Sequence, residues 1–267
     1  MSVFKSTNLR VAALTHIGKR RHMNEDCIAV DAQIRSEQMS DPSLYTLRLD
    51  GRCVCLVADG MGGHPAGDIA SRVAIETLGA EPLHPSMGDA AIVAALRKAN
   101  RALFAEMERT PEVIGMGTTI AGLTACESEI VTFNVGDSRV YRVRDAVVEQ
   151  ISTDDSEDVI TSFMAMDFPT RALNQCLGGY PGVEEINPHV VRDPAQPGST
   201  YLICSDGLHD MLNDATIGAC MSADLDQSVR TLFECAMAEG GIDNISIILA
   251  RLEDDAAADS TEQTPRL

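Results

Sequence analysis

The sequence predicts an α+β fold in which helices flank layers of antiparallel strands. Between residues 118 and 151 the apolar pattern has a period of two, and turns of a few residues separate the predicted strands. Connections this short join antiparallel neighbours, because a parallel crossover needs a dozen or more residues. Before and after this region, apolar residues recur at the spacing of amphipathic helices. These observations favour helix layers on antiparallel sheets within one domain.

Short segments that are apolar, or that alternate apolar with polar residues, are predicted as strands. They cover residues 9–14, 27–30, 53–58, 118–124, 130–135, 139–143, 147–151, 189–191, 200–204 and 245–250. The segments 189–191 and 200–204 are interpreted as a pair linked by a turn rich in proline and glycine. Residues 33–50 are predicted as a polar loop and residues 152–187 as irregular structure.

Helices are predicted before and after the meander of short strands at residues 118–151. One begins at Asp68 and a second covers residues 88–109, while a third carries an apolar face of Val229, Leu232, Phe233, Ala236 and Met237. The second has a single apolar stripe, which we interpret as core and which consists of Ile92, Leu96, Ala99, Leu103 and Met107.

Composition limits the classes of partner. The chain of 267 residues has a formal net charge of −19, and 45% of its residues are apolar. This charge argues against a nucleic-acid or anionic-membrane partner, because both need clustered Lys and Arg. No apolar run approaches the roughly eighteen residues that span a bilayer, and no secretory segment opens the chain. We therefore expect a cytoplasmic protein, with a globular domain over residues 1–252 and an acidic, disordered tail over residues 253–267.

One glycine-rich loop directly follows the apolar segment 53–58. Asp59 ends that segment, and four glycines come within the next eight residues, up to Gly67. A carboxylate on such a loop can approach a cation or a phosphate closely, because glycine lacks the Cβ that would block the approach. Asp-Gly is also a common turn dipeptide, so this loop alone leaves both interpretations open.

Other carboxylates occupy comparable positions. Asp206 follows an apolar strand and precedes glycine, as Asp59 does, and Asp243 lies just before the last strand. Glu25 and Asp26 also lie beside a strand. If strand packing brings such side chains to within about 5 Å, each pair repels by roughly 3 kcal/mol at an effective dielectric constant of about 20. We expect such a cluster to persist only if it is protonated or neutralised by cations.

The ligand types of this cluster select among metals. Oxygen ligands without His or Cys favour hard ions, so Mg²⁺ or Mn²⁺ is expected rather than Zn²⁺. A site with two such ions can convert bound water into hydroxide near neutral pH and hold a phosphoryl group during in-line displacement. Arg21 has the planar fork that suits phosphate oxygens, and His64 is suited to protonating a leaving alkoxide.

Six motifs occur in an order typical of one family. They are Arg21-x-x-Asn24-Glu25-Asp26, Asp59-Gly60-Met61-Gly62-Gly63-His64, Gly115-Met116-Gly117-Thr118-Thr119, Val135-Gly136-Asp137-Ser138-Arg139-x-Tyr141, Cys204-Ser205-Asp206-Gly207 and Asp243-Asn244. With this set the chain resembles the metal-dependent protein phosphatases of the protein phosphatase 2C type, in their compact bacterial form. The resemblance extends over residues 9–252.

This resemblance implies a four-layer α/β/β/α sandwich of two antiparallel sheets flanked by helices, with the metal ions between the sheets at one end. It implies that Asp59 bridges two Mn²⁺ or Mg²⁺ ions and that Gly60 adds its carbonyl oxygen. Asp206 and Asp243 would complete the shell of one ion. The other ion would be served, directly or through water, by Glu25 and Asp26.

The resemblance also implies roles for three further residues. Arg21 matches the phosphate-binding arginine of the family, and His64 matches its general acid. Asp137 matches the residue that helps to bind a third metal ion in bacterial members. From the sequence, Asp137 is equally open to interpretation as a turn carboxylate within a hairpin. Thr118 and Thr119 are interpreted as structural.

Two departures from the family pattern follow the meander. Bacterial members often carry Leu-Thr-x-Asp-His-Ser where this chain has Ile151-Ser152-Thr153-Asp154-Asp155-Ser156, so Asp155 replaces the histidine. The flap that comes next, residues 157–173, is short and lacks the usual charged pattern. Because the flap of the family lies beside the active site and influences substrate choice, the substrate is the expectation that transfers least.

The sequence therefore predicts a Mn²⁺- or Mg²⁺-dependent phosphatase acting on phosphoserine or phosphothreonine of cytoplasmic bacterial proteins, by in-line attack of activated water and without a phosphoenzyme. The chain has no Cys-x5-Arg loop, which a cysteine-nucleophile phosphatase would need. A serine/threonine kinase on a separate chain is the expected partner. One alternative is a non-catalytic member that binds phosphoproteins, which the presence of Asp59, Asp206 and Asp243 disfavours. The other is a phosphatase of a small phosphate ester.

Overall fold

Two six-stranded sheets pack against each other in the computed structural model, which describes residues 7–61, 66–145, 147–163, 166–179 and 185–254. The strands are β1 (Thr7–His16), β2 (Asp26–Val30), β3 (Gln33–Arg35), β4 (Ser43–Arg48), β5 (Val54–Asp59), β6 (Gly117–Thr118), β7 (Ile120–Ala125), β8 (Glu129–Val135), β9 (Arg139–Arg144), β10 (Val147–Gln150), β11 (Ser156–Phe163), β12 (Met166–Leu173), β13 (Leu177–Gly178), β14 (His189–Pro194), β15 (Thr200–Cys204) and β16 (Ile245–Asp254). The α-helices are α1 (Gly67–Gly79), α2 (Asp89–Arg109), α3 (Asp206–His209), α4 (Asp214–Ala219) and α5 (Leu225–Ala238).

Each of the two large sheets has six strands and its own strand order. The first sheet runs β10–β9–β15–β16–β1–β4, and the second runs β14–β8–β7–β5–β2–β3. Neighbouring strands are antiparallel throughout both. In addition, β11 pairs with β12 as a separate hairpin, and the short strands β6 and β13 pair with each other.

The apolar core lies in three layers. Between the sheets, Val11 and Ile203 of the first sheet pack in one cluster with Val57 of the second. The other face of the second sheet packs against α1 and α2, and the other face of the first packs against α5. Strand β5 shows why a central strand is apolar throughout: Leu56 points to the helices and Val57 to the opposite sheet, and both faces are buried.

This architecture confirms the predicted α+β class and the four-layer sandwich. The predicted helices are present, and the whole apolar stripe of α2 is buried as expected. The last strand, β16, continues to Asp254, two residues into the predicted tail, and residues 255–267 lie outside the described part of the chain. Among the described residues, the helices are all too short or too polar to cross a membrane.

Two regions predicted to lack regular structure contain strands. The predicted loop over residues 33–50 contains β3 and β4, and the predicted irregular region contains the hairpin β11–β12. Strand β4 alternates between half-buried and exposed residues, so its apolar pattern is too weak to separate it from a polar loop. Among the described strands, β11 and β12 pair only with each other, and their sequence has no regular apolar pattern.

Two predicted pairings were also wrong. Strands β14 and β15 do not pair, because β14 joins β8 in the second sheet whereas β15 lies between β9 and β16 in the first. The turn at Asp137-Ser138 likewise joins β8 to β9 across the sandwich rather than within one sheet. A short connection at the end of a sandwich can pass from one sheet to the other, and turn length alone does not distinguish the two cases.

Candidate active site

A cavity of about 590 Å³ opens where strands of both sheets end. Asp59 is the last residue of β5, Asp206 lies two residues after β15 as the first residue of α3, and Asp243 lies two residues before β16. All three line the cavity, as predicted from their positions beside strands. The lining also includes Arg21, Gly60, Asp137, Leu173, Cys176 and Asp210.

The backbone of Asp59 is held on both sides. Its N–H donates to Thr119 Oγ1 over 3.1 Å, while its carbonyl oxygen accepts from Thr118 Oγ1 at 2.8 Å and from Thr119 N at 2.9 Å. The two threonines therefore support the end of β5, which agrees with their interpretation as structural residues. Asp59 is thereby fixed at the point where the glycine-rich loop begins.

Gly60 lies in a space that excludes any side chain. A Cβ at this position would come within 2.2 Å of Gly67 O and 2.7 Å of Glu25 O. The Gly60 N–H donates to the same Glu25 carbonyl over 3.2 Å. The requirement for glycine here is thus close packing of three backbone segments.

Asp26 lies directly beside Asp59, because the two residues are partners in the register of β2 and β5. It is 1% exposed and does not line the cavity. Its Oδ2 accepts from Ser205 Oγ at 2.8 Å and from Ser246 Oγ at 2.7 Å. Since Ser246 belongs to β16 and Ser205 directly follows β15, both of the first sheet, and Asp26 belongs to the second, this carboxylate joins the two sheets next to Asp59.

Asn244 directly precedes β16 and connects the start of this strand to the loop that carries Arg21. Its side chain donates to Ile17 O and to Met23 O, both over 3.0 Å, and accepts from Glu25 N at 2.9 Å. Its three side-chain contacts thus span the loop from both sides of Arg21. The sequence contained Asn244 within a motif but did not indicate this positioning role.

Arg21 contacts the acidic cluster directly. Its Nη2 lies 2.6 Å from Asp243 Oδ2, and the Arg21 side chain is 39% exposed. The hydrogen bond to Asp243 raises the pKa of Arg21 further above its usual value, so the guanidinium is always charged. A guanidinium has five N–H donors, and its position at the cavity leaves the group available to an entering anion.

Glu25 lies near this cluster but outside the lining of the cavity. Its carboxylate receives a hydrogen bond from the backbone of Gly67, the first residue of α1. Burial raises the pKa of Glu25, with the positive charge of Arg21 acting in the opposite direction. The structure therefore brings Glu25 close to the site without bringing it into contact with the cavity.

Asp137 lies on the connection between the sheets and not in a hairpin, which removes the hairpin-turn interpretation. It is 7% exposed and lines the cavity. Its carbonyl oxygen is 3.0 Å from Nε2 of His209, the last residue of α3, the helix that begins at Asp206. Thr119 Oγ1 lies 2.6 Å from the hydroxyl of Ser138, so the same threonine that supports Asp59 also contacts this connection.

Burial and mutual repulsion raise the pKa values of the central carboxylates. The pKa of Asp59 is raised well above its usual range, first by burial and then by the charges of Asp26 and Asp206. Burial is also the main cause that raises the pKa of Asp206 and of Asp26, and the charge of Asp243 adds to both. Such a group of buried acids needs protons or cations to be stable.

His64, the predicted general acid, lies outside the described residues, as do Gly62 and Gly63. Its assignment therefore stays a prediction. The described residue Met61 does line the cavity, and its N–H donates to Gly117 O over 3.0 Å.

The comparison with known proteins agrees with the geometry of the site. The family model described as protein phosphatase 2C matches residues 31–250, which is most of the chain. The chain belongs to the protein phosphatase 2C family. This confirms the resemblance drawn from the motifs, and the family is one of phosphoprotein phosphatases, which are hydrolases.

Several bacterial members of the protein phosphatase 2C family are similar to the chain. The serine/threonine protein phosphatase PstP of Mycobacterium tuberculosis is 33% identical over 257 residues, which cover 92% of this chain and 45% of PstP. The chain thus spans less than half the length of that relative. The serine/threonine phosphatase stp of Listeria innocua is 30% identical, over 75% of this chain and 84% of its own length.

Solved structures support the same fold. A crystal structure of the M. tuberculosis phosphatase PstP superposes with a TM-score of 0.72 at 32% identity and covers 92% of this chain and 99% of that chain. The catalytic domain of PstP in complex with two manganese ions superposes with a TM-score of 0.69 at 31% identity, over 93% of this chain and 100% of that chain.

The donor chemistry of the site fits the divalent ions expected of a protein phosphatase 2C. Asp26 Oδ1 and Asp206 Oδ1 are buried and have no hydrogen-bond partner among the described residues. Hard cations bind such oxygens and keep several waters of their own. In the part of the chain that the structure describes, no group of three His, Cys, Asp or Glu side chains is already arranged to hold an ion, so which carboxylates would bind directly and which through water stays a prediction.

Sequence reasoning missed several supporting residues of this phosphatase site. Ser205 lay within a recognised motif, but its bond to Asp26 depends on the way the two sheets face each other. Ser246 has no signal of its own beyond being a polar residue in an apolar strand. The hairpin side of the cavity, with Leu173 and Cys176, lay in the region predicted as irregular.

Proposed function

We propose that the chain is a Mn²⁺- or Mg²⁺-dependent phosphatase that hydrolyses phosphoserine and phosphothreonine in proteins. The observation that carries the proposal is the convergence of Asp59, Asp206 and Asp243 on one cavity beside Arg21. The family, the serine/threonine phosphatases among the relatives and the manganese-bound PstP domain support the same function. The proposed substrates are cytoplasmic proteins phosphorylated by a serine/threonine kinase.

We assign the metal-binding roles to the carboxylates around Asp59. Asp59 would hold two ions together with the Gly60 carbonyl, and one of those ions would also contact Asp206 and Asp243. Glu25 and Asp26 would hold the second ion, directly or through water. Asp137 would help to hold a third ion. When bound, such ions lower the pKa of coordinated water and neutralise the charge of phosphate oxygens.

The protein supplies the positioning. Asn244 fixes the loop that carries Arg21, and the Arg21 guanidinium would bind two phosphate oxygens in a bidentate manner. This orients the phosphate ester so that water attacks phosphorus in line with the leaving oxygen. His64 would donate a proton to the leaving alkoxide of serine or threonine.

A direct assay tests the proposed function. With Mn²⁺, the purified protein should release phosphate from p-nitrophenyl phosphate and from a phosphothreonine peptide, and chelation should abolish both activities. Asp59→Asn should lower kcat by at least about a thousandfold, because it removes charge from the centre of the ion site. Asp193→Asn is a matched control, since Asp193 is a partly buried carboxylate paired with Arg142 and should leave kcat unchanged.

The outcomes of this assay separate the alternatives. Binding of a phosphopeptide without turnover would indicate a non-catalytic member of the family, and turnover restricted to small esters would indicate a small-molecule phosphatase. Full activity of a folded Asp59→Asn variant would refute the metal assignment.

The role of His64 has its own test. His64→Ala should lower kcat by about a hundredfold on the phosphothreonine peptide and much less on p-nitrophenyl phosphate, because nitrophenolate leaves without protonation. The comparison needs only the ratio of the two kcat values. Equal losses on both esters would show that His64 is not the acid.

A further inference from the structure

Asp155 joins three other segments of the chain beside the cavity. Its Oδ2 accepts hydrogen bonds from Gly136 N at 2.9 Å and from Gln175 Nε2 at 2.8 Å. Its Oδ1 lies 2.8 Å from His189 Nε2, and the Asp155 side chain is 14% exposed. None of the roles proposed above uses this residue, which stands where the family pattern has a histidine.

The backbone of Asp155 closes the base of the hairpin β11–β12. Asp155 N donates to Gly136 O over 3.0 Å, and Asn174 N donates to Asp155 O over 2.8 Å. Within the described chain, the two hairpin strands pair with each other and with no other strand. The attachment of the hairpin to the sandwich therefore depends strongly on the residues at its base.

The segments that Asp155 joins contribute to two parts of the cavity lining. Gly136 directly precedes Asp137, which lines the cavity from the connection between the sheets. Gln175 lies between Leu173 and Cys176, which line it from the hairpin side. Asp155 thus contacts both the segment that leads to Asp137 and the segment on the hairpin side of the cavity.

Two further contacts extend this network. Gln175 Oε1 accepts from Asn187 N at 2.5 Å, and its Nε2 also lies 3.3 Å from Asn187 O. His189 is the first residue of β14 and is paired in register with Asn134 of β8. The hairpin base is thereby connected through side chains to the edge of the second sheet.

The carboxylate suits these partners better than an imidazole would. Gly136 N and Gln175 Nε2 are donors, and a carboxylate offers two oxygens that only accept. A neutral histidine in this position would offer one accepting nitrogen at most. In this chain the nearby imidazole is that of His189, the first residue of β14.

We propose that Asp155 is a positioning residue that holds the hairpin side of the cavity against the Asp137 connection and thereby sets the affinity for a phosphoprotein segment. The proposal rests on the proposed phosphatase function. A phosphopeptide extends beyond its phosphate and contacts the hairpin side, where Leu173 and Cys176 lie. p-Nitrophenyl phosphate has no flanking residues and depends mainly on the carboxylates and Arg21.

The experiment compares KM and kcat for the two substrates in the full chain with Mn²⁺. Asp155→Ala should raise KM for the phosphothreonine peptide by about tenfold, while kcat on p-nitrophenyl phosphate changes by no more than about twofold, because displacement of a positioning wall weakens binding of the extended substrate first. Asp193→Ala is the matched control. Asp193 is a 13% exposed carboxylate on the same strand as His189, and its loss should leave the ratio of the two KM values unchanged.

A second variant keeps the test decisive if Asp155→Ala does not fold. Asp155→Asn retains one accepting oxygen but turns an NH₂ group towards a donor, so its KM for the peptide should lie between those of the unmodified protein and the alanine variant. His189→Phe should also raise KM for the peptide, and adding it to Asp155→Asn should cost less than the product of the two separate effects, because both act through one contact.

Three results would overturn the proposal. They are an unchanged peptide KM in folded Asp155 variants, equal losses on both substrates, and full independence of the Asp155 and His189 effects. Failure of the proposed function looks different, since the unmodified protein would then hydrolyse neither substrate.

Discussion

The two sides of the cavity are built in different ways. The carboxylate side consists of Asp59, Asp206 and Asp243 at the ends of strands in the two large sheets. The hairpin side comes from residues 172–179, which include the end of β12, a strand that pairs only with β11 within the described chain, and the two-residue strand β13, which pairs with β6. The first is fixed by long ladders from both sheets, whereas the second is attached through the short pairing of β13 with β6 and through the contacts of Asp155 at the base of the hairpin.

This difference separates chemistry from substrate choice. Carboxylates that must lie close together repel one another, so they need a support that does not yield, and two packed sheets provide it. The hairpin side carries no such repulsion among the described lining residues and can vary without moving the carboxylates. We therefore expect substitutions on the carboxylate side to change kcat for every substrate and substitutions on the hairpin side to change KM for large ones.

Among residues with no proposed contact to metal or substrate, the largest effect is expected from Asn244→Ala. The change removes the hydrogen bonds that hold the Arg21 loop at Ile17, Met23 and Glu25. Misplacement of the arginine should lower kcat/KM by about a hundredfold on peptide and small ester alike. Steady-state kinetics on the two substrates measure it.

The control for this prediction is Asn213→Ala. Asn213 accepts a hydrogen bond from Thr216 N at the start of α4, away from the cavity, so its loss should cost about 1 kcal/mol of stability and leave kcat/KM unchanged. A loss confined to the peptide in Asn244→Ala would contradict the division between the two sides, because Arg21 belongs to the carboxylate side.

The strength of the local apolar pattern determines which parts of the fold the sequence could predict. Strands buried on both faces, such as β5, and helices with a long stripe, such as α2, have strong local signals. Strand β4 and the hairpin β11–β12 do not, because one face of β4 is exposed and the hairpin lies outside the main sheets. Assignment of each strand to a sheet failed at Asp137-Ser138, since a short turn fits either a hairpin or a passage between sheets.

The residues of the site also differ in how far the sequence predicts them. Asp59 and Asp206 were predictable because each combines a strand end with a following glycine. Asp26 was predicted beside them, but its bonds to Ser205 and Ser246 depend on the opposition of two sheets, which no local pattern encodes. The contacts of Asp155 were likewise beyond prediction, since its partners are distant in the chain.

A smaller effect is expected in the stability of the metal-free protein. Asp59, Asp206 and Asp26 have native pKa values above their ordinary value of 3.8. Above that pH the native state therefore binds more protons than the unfolded state, and the free energy of unfolding falls as pH rises. A native pKa one unit higher corresponds to about 1.4 kcal/mol, so a fall of about 1 kcal/mol or more is expected between pH 4.5 and pH 7.5.

Urea unfolding in the presence of a chelator, and again with Mn²⁺, measures this effect. Mn²⁺ binds the deprotonated carboxylates of the native state and should stabilise it more as pH rises. Asp206→Asn removes one of the raised groups and should make the metal-free slope shallower. An unchanged metal-free slope in a folded Asp206→Asn variant would show that the carboxylate side carries no such repulsion, and the contrast between the two sides of the cavity would then have to rest on the hydrogen bonds of the hairpin base alone.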